Sequence, residues 1–240
     1  MRSSTFNSSK SPEGRWLRTW LLAFGLFVVL VAGWECTVRA LGYRPTVIDN
    51  MALWAAQRER VYSHHGEKTL VLLGDCRMQM DVVPQLLARR FPGHRVVQLA
   101  VEQTSPVAAL QDLAADKRFD GVVICALNAR LLCEDLWDAQ QPYVDYYHQK
   151  YTFNVKLNRL VSSALQQNLT LLQPDLRLDD LIAHAIETGH LPSPRYVETR
   201  ADRSCLADYS KVDIAVYRRY MLARDHWLDE VLHAIGDESQ

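Results

Sequence analysis

The sequence predicts an α/β fold: a parallel sheet that follows one transmembrane helix and leads into a helical segment. Three observations predict it. An uncharged apolar run lies near the N-terminus, three short apolar runs alternate with helical patterns between residues 69 and 127, and strand signals stop after Leu131.

The first run, Thr19 to Trp34, reads TWLLAFGLFVVLVAGW. At a rise of ~1.5 Å per residue it spans ~24 Å, somewhat short of a ~30 Å hydrocarbon core. Snorkelling of Arg18 and extension through Glu35 to Val38 close the gap, which predicts an anchor over residues 16–37. Trp16, Trp20 and Trp34 sit where an interfacial aromatic belt would place them. Arg2, Lys10, Arg15 and Arg18 precede the run against a single Glu13. That asymmetry predicts a cytoplasmic N-terminus, with polar residues 2–14 as a disordered tail and the rest exported. A cleaved signal peptide is the competing reading, with Val31-Ala32-Gly33 as its cleavage site. The length of the run and the bulky Trp34 directly after it favour the uncleaved anchor.

The division that follows is a tail over 1–15, the anchor over 16–37 and an α/β domain over 45–240. Within the domain the sheet core covers 68–131 and a helical region 132–240. Asp49-Asn50 offer an N-cap for a helix through MALWAAQRERVY. TLVLL (69–73) ends at Gly74 and fits a buried parallel strand. A helix follows, with Val82, Leu86 and Leu87 on one face, ending before Phe91-Pro92-Gly93. RVVQLA (95–100) repeats the strand signal, and Ser105-Pro106 opens the next helix with Ser as N-cap. GVVICAL (121–127) is the third strand. This alternation implies right-handed crossovers in a parallel sheet covered on both faces. Residues 134–190 carry helical spacing, Leu191 to Arg195 form a Pro-containing link, and a last helix covers Val212 to Ala234.

Composition excludes some chemistry. Past the anchor the chain is net acidic, which argues against a nucleic-acid surface. Cys36, Cys76, Cys125, Cys133 and Cys205 form no CxxC pair, and no His/Cys cluster has zinc spacing. Neither a disulfide framework nor a metal is expected, and no cofactor.

Ligands of open parallel sheets bind beyond the carboxyl ends of the strands. The first strand runs into Gly74-Asp75-Cys76-Arg77 directly before a helix, where a side chain meets the positive end of the helix dipole and a thiol gains thiolate character. LLGDCRMQM, VVQLAVEQTSP and ALNA, each after a strand, resemble the first three blocks of the SGNH (GDSL-like) hydrolases, most closely the membrane-anchored members of the bacterial envelope. The resemblance covers residues 69–130. It implies a flavodoxin-like three-layer fold and ester hydrolysis or acyl transfer in the periplasm by a chain held in the inner membrane. The implied substrate is an acyl ester, such as one on an envelope polysaccharide. Cys76 then takes the nucleophile position, where the family has Ser, with Asp75 beside it. Gln98, Ala100 and Gln103 fall on the second block's Asn and two glycines, and Asn128 on the third block's oxyanion Asn.

The family's catalytic Asp-x-x-His lies near the C-terminus. Here Asp145-Tyr146-Tyr147-His148 alone has that pattern, and it comes too early in the chain. The chain therefore looks like a family member missing its C-terminal third. Two readings of Cys76 stand, a reactive thiol or an inert relic of a Ser site. Two readings of Asn128 stand as well, an oxyanion donor or a loop cap. Trp137, Tyr143, Tyr146, Tyr147 and Tyr151 either line a groove for a sugar or lipid or pack between helices. His64-His65 read as surface loop, and His226 and His233 as solvated or half-buried. The functional expectations are an SGNH-type envelope enzyme, a catalytically dead membrane-tethered binding or assembly module, or a fragment of a longer enzyme.

Overall fold

The computed structural model describes residues 16–62 and 67–212. The N-terminal tail, His64-His65, His226, His233 and all but the first residue of the last expected helix lie outside the described residues. The chain divides into two compact units, Met1–Tyr43 and Arg44–Gln240.

In the first unit α1 spans Trp16–Ala40, 25 residues and so ~38 Å. Its side chains from Trp16 to Leu30 are all exposed. Among the described residues it is the helix long and apolar enough to cross a membrane. It runs three residues past the expected anchor, and Glu35 and Arg39 pair along its last turn at 2.6 Å.

The second unit opens with α2 (Met51–Glu59), capped as expected by Asn50, whose side chain accepts from the Leu53 N–H at 3.0 Å. The three expected strands form β1 (Lys68–Leu73), β2 (His94–Gln98) and β3 (Val122–Cys125). They make one parallel sheet in the order β2-β1-β3. Because side chains alternate across a strand, β1 serves two cores. Val71 and Leu73 join Trp54, Leu99, Leu113 and Val144 on one face. Leu70 and Leu72 join Met78 and Ala100 on the other, with Val82 and Leu87 packed against them. Trp54 is fully buried and its indole N–H donates to the Leu99 carbonyl at 2.9 Å.

The single helix expected after β1 is two, α3 (Cys76–Asp81) and α4 (Pro84–Arg90), with Val82 and Val83 extended between them. Pro84 is the reason: its missing N–H suits a first turn and not a helix interior. Leu86 consequently faces solvent at 60% exposure, unlike Leu87. The next helix, α5, covers Val107–Ala115, and Ser105 does not cap it. The Ser105 hydroxyl is instead buried and donates to the Leu131 carbonyl at 2.6 Å, tying the β2 exit to the loop after β3.

The region beyond Leu131 is not helical throughout. It contains α6 (Gln141–Gln149), α7 (Phe153–Asn168) and α8 (Leu178–Thr188), as the spacing predicts. It also contains an antiparallel hairpin of β4 (Val197–Thr199) and β5 (Cys205–Ala207). Strands of three residues are too short to write an alternating pattern into the sequence. The hairpin is held from outside by the segment before α2, where the Val47 N–H donates to the Thr199 carbonyl at 2.8 Å.

Candidate functional site

The register places the three sequence blocks side by side. Leu73 pairs with Cys125, so the loops three residues beyond each, at Cys76 and Asn128, emerge at the same end of the sheet. Gly74 makes the turn: its φ is +143°, and a Cβ there would sit 2.9 Å from the Ala126 carbonyl oxygen. Asp75 then caps α3 by accepting from the Arg77 N–H at 3.1 Å. Cys76 is the first residue of that six-residue helix and is half-buried.

The groups around Cys76 are already engaged with one another. The Asp75 carboxylate, largely buried, pairs with the Arg77 guanidinium at 3.0 Å and lies 3.4 Å from the Asn128 amide nitrogen. The Asn128 side-chain oxygen accepts from the Leu131 N–H at 3.0 Å, which makes it a loop cap. The Ala100 N–H is buried and donates to the Gln98 side-chain oxygen at 3.2 Å. The Gln98 amide in turn donates to the Met78 carbonyl at 2.9 Å, clamping α3 to the end of β2. Gln103 has φ +55°, the left-handed backbone that the resemblance assigns to a glycine. That conformation costs a non-glycine residue ~1–2 kcal/mol. Exposed Gln103 replaced by Gly is therefore expected to raise stability by about 0.5–1 kcal/mol, part of the relief being offset by the freer unfolded chain. A urea-unfolding midpoint equal to or below that of wild type would count against this.

Beside Cys76 opens a cavity of about 740 Å³, within the range of small-molecule sites. Cys76 and Gln79 of α3, Val101 and Glu102 after β2, and Tyr143 of α6 form one side. Asp49 before α2, with Tyr196, Thr199 and Cys205 of the hairpin, forms the other. Asp49 on this wall is held from behind by Arg203, whose guanidinium donates twice to the carboxylate at 2.7 and 2.9 Å. Arg203 also donates to the Gln98 carbonyl at 3.2 Å, and Gln79 donates to Asp49 at 3.0 Å. One buried cation thus ties hairpin, sheet and α3 together. Burial pushes the Cys205 thiol up, and it lies 3.6 Å from the Thr199 hydroxyl. Burial, reinforced by the Asp49 charge, also pushes the Tyr143 phenol up.

The sequence reading placed Asp75, Cys76 and Asn128 at one site, and the structure brings them together. It missed Asp49, Arg203 and Cys205, which no local pattern marks. Among the described residues no histidine lines this cavity. The Asp145–His148 stretch forms no pair: Asp145 accepts from Gln141, and His148 Nε2 lies 2.6 Å from Asp112. Asp112 sits in the second half of α5, a helix that runs back from the carboxyl end of β2 toward the start of β3, so this pair belongs to the opposite end of the sheet. The aromatic residues divide. Tyr143 reaches the cavity, Tyr147 packs against the core, and the Trp137 indole N–H donates to the Leu132 carbonyl at 3.0 Å. No protein-family model, curated protein or solved structure matches the chain.

Proposed function

We propose that this chain is a membrane-tethered α/β binding module, built on an SGNH-like frame of flavodoxin-like layering, that holds a polar ligand at the Cys76 cavity without cleaving an ester. One observation carries it: the Ala100 backbone N–H, which the frame would aim at an oxyanion, is already bonded to the Gln98 side chain. A donor that stabilises a developing charge has to point at that charge and be free to bond it. The Ala100 N–H is bonded to the Gln98 side chain, and one of the two N–H groups of the Asn128 amide is turned to Asp75 while its oxygen caps Leu131. A Cys or Ser nucleophile is also inert without a positioned base.

The cavity suits a hydroxyl-rich ligand, because the Glu102 carboxylate accepts and the Tyr143 and Tyr196 rings offer apolar faces. An acylated envelope saccharide has both features. The basic residues before α1 support a single-pass arrangement in a bacterial inner membrane, N-terminus inside and the 44–240 unit in the periplasm. The competing reading is an SGNH-type esterase or acyltransferase, favoured by the adjacency of Cys76, Asp75 and Asn128.

Hydrolysis of p-nitrophenyl acetate by the full chain decides between them. Wild type, Cys76→Ser and Cys76→Ala are expected to give the same rate, that of the buffer blank. Turnover that disappears in Cys76→Ala would restore the enzyme.

A further inference from the structure

A second cavity, about 470 Å³, lies between α2 and α7, remote in sequence from the Cys76 blocks. Part of its wall is apolar, built from Leu53, Ala56, Leu157, Leu160 and Ala164 with Phe153 at the rim, and the rest is polar, with Glu59 and Lys156 paired to each other. Phe153, Leu157 and Leu160 remain 75%, 51% and 69% exposed. They repeat at the three-to-four-residue spacing of one helix face.

Beside this apolar stripe lies a buried guanidinium with one nitrogen left unpartnered, although Asp49 acts on it at longer range. Arg159 is 7% exposed, and its Nε donates to Ser163 at 2.9 Å. Its Nη2 is buried with no hydrogen-bond partner. Arg60, on the same cavity, donates to Gln57 at 3.1 Å. Neither arginine forms an ion pair among the described residues, whereas the neighbouring Lys156 is paired with Glu59. A buried unpaired guanidinium costs free energy until a charge-bearing acceptor reaches it. An arginine fork also fits a carboxylate in two-point fashion.

We propose that this cavity binds a single-chain amphiphilic anion, a long-chain carboxylate whose head meets Arg159 and Arg60 and whose chain lies along Leu157 and Leu160. The volume falls in the lower half of the ~300–1,000 Å³ range of small-molecule sites, which suits one acyl chain and not the two of a bilayer phospholipid. A chain with a membrane-crossing helix also meets such amphiphiles where they are concentrated.

Native mass spectrometry of the full chain released from a non-ionic detergent tests this, with dodecanoate, dodecanol and dioleoyl phosphatidylglycerol as probes. Dodecanoate is expected to bind one per chain, at least about tenfold tighter than dodecanol, since the carboxylate relieves a buried charge. Arg159→Met is expected to weaken dodecanoate by about tenfold or more, and Arg159→Lys by about threefold, because only the first removes the charge. Leu160→Glu, at a position 69% exposed, is expected to weaken it as well by repelling the head group. Several results overturn the proposal: equal binding of dodecanol, undiminished binding by Arg159→Met, or tighter binding of the phospholipid than of dodecanoate. Binding that appears only after deletion of residues 213–240 would assign the cavity to that segment. A dimer unaffected by dodecanoate, with no acid bound, would assign it to a second copy.

Discussion

Arg58→Met is expected to destabilise the 44–240 unit by about 3–5 kcal/mol, the range for breaking a buried ion pair from one side. The Arg58 side chain is 0% exposed and reaches Asp112 at 2.7 Å and Asp116 at 3.2 Å. Its guanidinium carbon also lies 5.6 Å from the Tyr62 ring centre and 5.2 Å from that of Tyr147. Methionine fills much of the volume but leaves two nearly buried carboxylates without their shared cation. Against a usual domain stability of ~5–15 kcal/mol this is a large share. The loss falls toward the lower end because Asp116 keeps Tyr62 and Arg118, and Asp112 keeps His148. Urea unfolding of the full chain in neutral detergent reads it. Asp112→Asn in the Arg58→Met background should recover part of the loss, since it removes one orphaned charge. A drop below 1 kcal/mol would mean that the pair is not a structural centre.

The same cluster has a pH signature. Burial alone would raise the Asp116 carboxyl, but hydrogen bonds from Tyr62, Arg118 and Arg58 hold it well below the usual carboxylate range. A carboxylate depressed in the folded state contributes stability that is fully present above its unfolded value near ~4. That stability drains as pH falls below the unfolded value toward the folded one. Arg58→Met removes one of these three donor residues. The difference in urea midpoint between pH 7 and pH 3 should therefore shrink in the variant.

These residues also show what the sequence could and could not carry. The strands were legible because short apolar runs between turns have few other uses, and β1, β2 and β3 lie within two residues of their expected bounds. The Asn50 cap was legible because it acts on an N–H three residues away. Pro84 is visible, but the apolar spacing around it predicts one helix, although its ring ends a helix on its amino side. The spacing of Ser105 suits a cap, while its partner is Leu131, 26 residues on. Arg58 belongs to a helix face whose purpose appears only once α5 brings Asp112 and Asp116 to it, more than fifty residues later. For the Cys76 site the blocks placed Asp75, Cys76 and Asn128 together, since strand order alone does so. They did not reveal Asp49, because its cation comes from a hairpin too short to leave a pattern.

That cation supports the second large effect: Arg203→Ala is expected to cost about 3 kcal/mol and to loosen the wall of the Cys76 cavity. Arg203 is 1% exposed while Asp49 is 27% exposed, so water recovers part of the orphaned carboxylate's solvation and the loss sits low in the range for such pairs. Besides the two bonds to Asp49, the Gln98 carbonyl loses its donor. The backbone allows a sharper test than the total. Arg203 has φ +66°, which a side chain with Cβ adopts at a cost of ~1 kcal/mol or more and glycine adopts freely. Arg203→Gly should therefore unfold at higher urea than Arg203→Ala, by about 0.5–1 kcal/mol, although glycine is ordinarily the more costly replacement. If Ala proves the more stable of the two, the left-handed turn is not what shapes the hairpin. Both variants remove the tie between hairpin, β2 and α3, so both should expose Cys205. Its reaction with a maleimide should rise several-fold in each, while Cys125, on the sheet itself, should react as in wild type.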